Sequence, residues 1–421
     1  MPVDVEHGYG DLEELLASVA IPRGLRVEQR FDAAPALVDI PAAVRDALRG
    51  VALPRGSVAI GVGSRGVARI GEIVAALVAE LRAAGARPFI VPAMGSHGAS
   101  TAAGQADVLA HLGVSEATTG APVRATMEVV EIGRTASGLP VFLDADAYAA
   151  DAIVVVSRVK PHTAFRGPIE SGPCKMLAIG LGKQRGAATL HAAGWDVFHR
   201  TVPEAAAVVL ASGKVAFALA TIENQEDAPF HLEALPANEL LAREPALLEL
   251  AKASIARLPF EQLDVLVIDR IGKNVSGDGA DPNVTGRYPT PYGHGGPDVT
   301  RMVFLDLTDE TLGNANGLGL ADVVTRRLAE KFDPPATYMN SLTSTVSSVV
   351  RLPMTMPTPR LALAAALMMC PNLDARRARI ARIVDTMHLG EMWVSEPLLD
   401  EVARNPSLRV AGELEAFPLP A

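Results

Sequence analysis

Ala152-Ile-Val-Val-Val156 runs directly into Ser157-Arg158-Val159-Lys160-Pro161-His162-Thr163. A short apolar run dominated by β-branched residues is the signature of a buried strand. Strands buried on both faces belong to parallel sheets whose crossover helices cover both sides. Pro161 ends the regular structure and fixes how His162 is presented. Two cations and a histidine therefore emerge at the carboxyl end of a central strand, the edge where open α/β sheets hold ligands. A plain surface turn is the alternative reading, and three ionisable groups at this edge favour a site.

The same alternation extends in both directions from this strand. Upstream, Ser57-Val-Ala-Ile-Gly-Val62 reads as a strand. Residues 68–84 read as a helix with Ile70, Ile73, Val74, Leu77 and Leu81 on one face. Pro88-Phe-Ile-Val91 is the next strand and 102–112 the next helix. Downstream come helices at 183–193 and 204–212 and a strand at 215–220. An amphipathic stretch, 235–257, leads through Leu258-Pro259 into the strand Val265-Leu-Val-Ile268, which puts a junction at 258–262. The second half repeats the pattern, with a strand at 302–307, a helix at 321–331, and helical stretches at 361–369 and 375–384. Between Ile271 and Thr300 lies a loop rich in Gly, Asp, Asn and Pro, of a length that is often functional. The expected fold class is α/β: two α/β domains, 1–260 and 261–421, with mainly parallel sheets and a cleft between them.

Composition narrows the function classes. A chain of 421 residues has room for two cores, and 49% hydrophobic with 20% charged residues is an ordinary globular mix. A formal net charge of −10 speaks against a binder of nucleic-acid backbones, although a few local cations can still hold a small anion. The two cysteines, Cys174 and Cys370, are far apart and outside any Cys-x-x-Cys pattern, which fits a reducing compartment. The first sixteen residues lack the basic-then-apolar layout of a secretion signal. The apolar run 361–370 is about half of what a membrane span needs. The expectation is a cytoplasmic protein without membrane or nucleic-acid partners.

Three further stretches carry chemistry. Gly61-Val-Gly-Ser-Arg65-Gly66 joins a strand to a helix, where glycines admit a close ligand and free N–H groups favour an anion. Arg65 would grip a carboxylate or phosphate, or else sit exposed on a tight turn. Gly95-Ser96-His97-Gly98-Ala99-Ser100-Thr101 stands at the next strand end. Its hydroxyls suit a helix cap, but a cap leaves His97 unexplained, and a loop imidazole suits proton transfer near neutrality. Glu170-Ser-Gly-Pro-Cys-Lys175-Met places Lys175 between a Gly-Pro turn and an apolar run. Such surroundings ease loss of its proton and suit a nucleophile or covalent anchor. His191 follows near a helix end, where on its own it reads as a dipole-balancing histidine. His294, within the 271–300 loop, is a candidate substrate contact, whereas His7, His111, His199, His231 and His388 have no motif around them. No His-x-x-x-His, Cys-x-x-Cys, Gly-x-Ser-x-Gly or Walker pattern occurs.

Taken in this order, His97, His162, Lys175 and His191 resemble the lactate racemase family, the nickel-pincer-nucleotide-dependent 2-hydroxy acid racemases and epimerases. The resemblance covers most of the chain and is strongest from Gly61 to Gly194. It implies an isomerase that inverts a hydroxyl-bearing carbon by hydride transfer to and from a pyridinium mononucleotide. That nucleotide would grip nickel and be joined to Lys175 as a thioamide. His191 would be the protein ligand to the metal, His97 and His162 the acid/base pair, and Gly95 and Ser96 part of the cofactor cradle. The first domain would then be catalytic and cofactor-binding, with the second closing over the substrate.

Arg65 matches the family's arginine after the first strand, but the acidic residue and threonine that usually precede it are replaced by Gly-Val-Gly-Ser. The segment between His162 and Lys175 is longer than in the lactate enzymes and carries Arg166, Pro168 and Glu170. This leaves Lys160 and Lys183 as rival anchors. The family's aromatic-Gln-plus-lysine segment is not evident, and the stretch from Gly272 to Arg287, with Lys273, Asn274 and Arg287, stands in its place. A 2-hydroxy acid other than lactate is the expected substrate. Cofactor-building enzymes are expected partners, and a homo-oligomer is left open. Two other readings compete. One is a zinc-type hydrolase or lyase using His97, His162 and His191 as ligands without the nucleotide. The other is a non-catalytic nucleotide sensor, against which both acid/base histidines speak.

Overall fold

The computed structural model describes residues 9–64 and 67–420, and the protein is a mixed α/β molecule built on two main sheets. In the smaller sheet the strands run Ala86–Pro92, Gly56–Val62, Ala152–Arg158, Val215–Glu223 and Pro229–Pro236. The first four are parallel and the last is antiparallel. Alternation along these strands feeds two cores. Ile153 and Val155 pack on one face with the Phe198–Ala211 and Leu240–Ser254 helices. Val154 and Val156 pack on the other with the Ile40–Ala47 and Ile70–Ala83 helices. Helices on both faces are what a run of apolar residues without polar alternation requires.

The chain leaves Gly56–Val62 toward one side of the sheet and Ala152–Arg158 toward the other. Strand order thus reverses between these two neighbours, and a crevice opens outside their carboxyl ends. Gly63 and Ser64 follow the first of them, and Lys160 and His162 follow the second.

The larger sheet runs Met354–Met356, Val323–Thr325, Asp298–Phe304, Gln262–Ile268, Ile380–Ile383, Glu391–Ser395, Arg23–Gln29 and Leu408–Val410, with Glu415–Ala416 also pairing to Arg23–Gln29. Its first five strands are parallel, and its far edge is antiparallel. The carboxyl ends of Gln262–Ile268 and Asp298–Phe304 lead to Lys273, Gly277, Asp278 and Asn316, which face the crevice of the smaller sheet across a shared cleft.

Several elements depart from expectation. Val323–Thr325 is a strand, and only Arg326–Lys331 of the expected 321–331 helix is helical. The stretch 375–384 is one short turn followed by the strand Ile380–Ile383, which is wholly buried between Gln262–Ile268 and Glu391–Ser395. A short apolar run fits either periodicity, and here tertiary pairing decided it. Arg23–Gln29, unassigned in the sequence reading, buries Leu25 and Val27 in the core of the larger sheet, whose other strands all follow the smaller sheet in the chain. Among the described residues no helix is long and apolar enough to cross a membrane.

Candidate active site

One cleft of about 290 Å3, at the small end of ligand sites, gathers residues from both halves. His97, His162, Lys175, His191, Gly95, Ser96, Lys160 and Lys273 all line it. Arg65 lies outside the described residues.

His162, presented at the strand's carboxyl end, is buried. Its ring packs 4.6 Å from Phe165 and 6.0 Å from Trp195, measured between centroids. Glu170, with no exposed surface, holds the loop from within: its carboxylate accepts from the His162 backbone N–H at 2.7 Å and pairs with Arg166 and Lys252. Desolvation pushes the His162 pKa well below the ordinary value, and Lys175, His191, Lys160 and Arg166 add to the effect. The neutral ring has a defined tautomer. The Ala164 backbone N–H donates to Nδ1 at 3.0 Å, so the ring proton sits on Nε2, and Nε2 is 2.6 Å from Lys175 Nζ.

Lys175 ends the short Pro173–Lys175 helix, and the chain then makes a π-turn over Met176–Gly180. Such turns are rare and concentrate at functional sites. Gly180 is required there, because a Cβ would lie 2.7 Å from the Ala93 carbonyl oxygen. This close approach lets the Gly95 N–H reach the Gly180 carbonyl and ties the His97 loop to the Lys175 turn. Glu244 supports the turn from below, accepting from the Cys174 N–H at 2.8 Å. Burial raises the Glu244 carboxyl to about 7 and pushes the Cys174 thiol up, which leaves that thiol inert.

His191 lies on the Lys183–Ala192 helix against Trp195 and Phe198. Its Nδ1–H donates to the Ala187 carbonyl at 2.6 Å, leaving the lone pair on Nε2. Burial lowers its pKa to about 4, so the ring is neutral. A neutral imidazole whose other nitrogen is held by a carbonyl is the usual state of a metal-ligating histidine. His97 meets Ser64 through Nδ1, while Gln105 donates to the carbonyls of Gly95 (2.9 Å) and His97 (3.3 Å).

Lys183 is excluded as an anchor. It has no exposed surface, pairs with Asp144 at 3.0 Å, and donates to Gln105 Oε1 and the Pro92 carbonyl. It therefore braces the His97 loop from behind. Two substrate-side expectations also fail. The Arg287 guanidinium is taken by Asp322 and by the carbonyls of Leu320, Val299 and Thr300, away from the cleft. Asn274 accepts from the Thr308 hydroxyl at 2.6 Å and lines not the cleft but a smaller cavity beside it, which shares Lys160 and Lys273 with the cleft. His294 also lies outside the cleft, and its carbonyl accepts from Arg166. The three-histidine metal site is not assembled. Among the described residues no three His, Cys, Asp or Glu side chains could hold an ion, and both His162 nitrogens are engaged within the protein.

The sequence reading missed several lining groups. Ser64 stood in a motif read for its glycines. Trp195, whose indole N–H donates to the Ser344 carbonyl, joins the Pro334–Ser344 helix to the first half, and Asn340 and Thr343 of that helix complete the wall. Arg166 pins the two halves, with its fork on His162 O, Asn283 Oδ1 and the Tyr288 hydroxyl.

A family model described as a domain of unknown function, DUF362, matches residues 66–249. No curated protein matches the sequence. Among solved structures, the lactate racemase apoprotein from Thermoanaerobacterium thermosaccharolyticum superposes with a TM-score of 0.50 at 12% identity, over 86% of this chain and 98% of that one. At that identity the likeness is one of fold, and this chain shares the architecture of a lactate racemase apoprotein.

Proposed function

We propose that the protein is a 2-hydroxy acid racemase or epimerase that works with a lysine-anchored nickel-pincer nucleotide. The observation that carries this reading is the convergence of Lys175, His162, His191 and His97 on one cleft, each from a different segment. The residues fit the group: Lys175 offers an amine beside an uncharged imidazole, and His191 offers a neutral Nε2 whose partner nitrogen is fixed. When bound, the nucleotide with its nickel would supply the hydride acceptor. Lys175 would hold it, and His191 would ligate the metal. His97 and His162 would each exchange a proton with the substrate hydroxyl on one face, so that either enantiomer is served. Lys160 and Lys273 would hold the carboxylate and any distal polar group. The burial of the Phe165, Trp195 and Phe198 rings around His162 and His191 would exclude water. The setting would be cytoplasmic, with the cofactor-building enzymes as partners.

The test is to produce the chain alongside those enzymes, map Lys175 by mass spectrometry, measure nickel, and follow a panel of 2-hydroxy acids by chiral chromatography. An adduct on Lys175 with interconversion of one panel member is expected. Nickel-loaded protein with unmodified Lys175 would sink the reading.

A further inference from the structure

We propose that Lys175 of the unloaded chain is an uncharged, nucleophilic amine that condenses with the carbonyl carbon of a 2-oxo acid to form an imine. The proposal stands on the tautomer of His162 and not on the nucleotide. Nδ1 of His162 already accepts the Ala164 N–H, so a neutral ring can offer only Nε2–H to its neighbour. That neighbour, 2.6 Å away, is Lys175 Nζ. An ammonium has three donors and no acceptor, and would there face another donor. Only the free amine can accept this bond. Burial of the imidazole supports the same arrangement, since a charged ring beside Lys175 is doubly disfavoured.

The ligand class follows from the walls. Besides the uncharged Lys175, the cleft is lined by the cations Arg158, Lys160 and Lys273, and Asp278 is the one carboxylate among the described lining residues. A cleft of about 290 Å3 with that charge balance suits a small acid whose carbonyl stands next to its carboxylate. As the carbonyl enters, Nε2–H leaves the amine lone pair. The nitrogen attacks, the C–N bond forms, and the carbonyl electron pair moves to oxygen. Nε2 gives its proton to that oxygen and takes one from the attached nitrogen. Loss of the second nitrogen proton together with hydroxide releases one water and leaves the neutral imine. No oxidant or reductant is consumed.

The experiment treats unloaded protein with pyruvate and cyanoborohydride, followed by peptide mapping. At pH 7 Lys175 is expected to be labelled at least about tenfold faster than the surface residue Lys331, because an ordinary lysine is almost wholly protonated there and the Asp306 and Asp309 carboxylates hold Lys331 protonated still more firmly. The gap should narrow toward pH 10. His162→Gln is expected to slow labelling, since its amide can turn the carbonyl toward an ammonium. A long-range 15N spectrum of the unmutated chain reads the tautomer without any variant, and the proton is expected on Nε2. Labelling of Lys175 no faster than Lys331 at pH 7, equal labelling in His162→Gln, or a proton on Nδ1 would each overturn the proposal. None of these outcomes depends on whether a loaded chain racemises hydroxy acids.

Discussion

Lys175 and Lys183 stand in the same glycine-rich, apolar segment, yet the fold gives them opposite surroundings. Lys183 points into the core, where the Asp144 carboxylate and the Pro92 and Gln105 oxygens receive it. Every partner accepts, so the side chain serves as a brace. Lys175 lines the cleft, where the protonated Nε2 of the His162 imidazole stands 2.6 Å from its Nζ. Composition around a lysine is therefore a poor guide to its reactivity. What decides is whether its neighbours accept or donate.

The sharpest way to break this contrast is to exchange the roles. Lys175→Ala should abolish both the adduct and racemisation by loaded protein while changing stability by less than about 1 kcal/mol. Peptide mapping, chiral assay and urea unfolding read the three quantities, and an adduct found on Lys183 would reverse the assignment. Next in size, His97→Ala and His162→Ala should each slow racemisation roughly 10²–10⁴-fold with the adduct intact. Steady-state assay from each enantiomer checks this, and an unchanged rate in either removes that residue from the acid/base pair.

On the structural side, Lys183→Met should cost about 3–5 kcal/mol, because it strands a buried carboxylate, and Asp144→Asn in the same chain should return part of that. Denaturant midpoints of the single and double variants decide it, and a silent Lys183→Met would remove the brace. The smallest effect concerns pH. His162 has its folded pKa depressed, so its contribution is full above the unfolded value near 6.5 and is lost as pH falls toward the folded value. Below pH 6.5 the unmutated chain should lose up to about 1.4 kcal/mol per pH unit for this proton, and His162→Gln should lose correspondingly less. Parallel stability profiles of the two proteins would contradict the buried, neutral ring.

The periodic parts of the fold were legible. The strands at 56–62, 86–92 and 152–158 and the 70–83 helix follow from apolar spacing alone, and they placed His97 and His162 at strand ends. Short elements were not legible: Val323–Thr325 and Ile380–Ile383 are strands because of what lies beside them. The same holds for the site. The order of Lys175 and the three histidines could be read from the chain, but the burial of His162 depends on Glu170, Phe165 and Trp195 folding over it. Arg287 and Asn274 looked available only because Asp322 and Thr308, their partners, lie distant in sequence.

The placement of Arg23–Gln29 has a consequence for how the chain is made. Arg26 pairs with Glu391 across 365 positions, and the strand's other partners emerge later still. At about 5–20 residues per second, this early strand leaves the ribosome on the order of half a minute before anything it can pair with. Meanwhile the smaller sheet, complete by Pro236, can form with the His162 and Lys175 segments in place. Leu25 and Val27 must wait in solvent as an open, pairing-competent edge, and that interval is when a nascent chain of this fold is most exposed to the wrong partner.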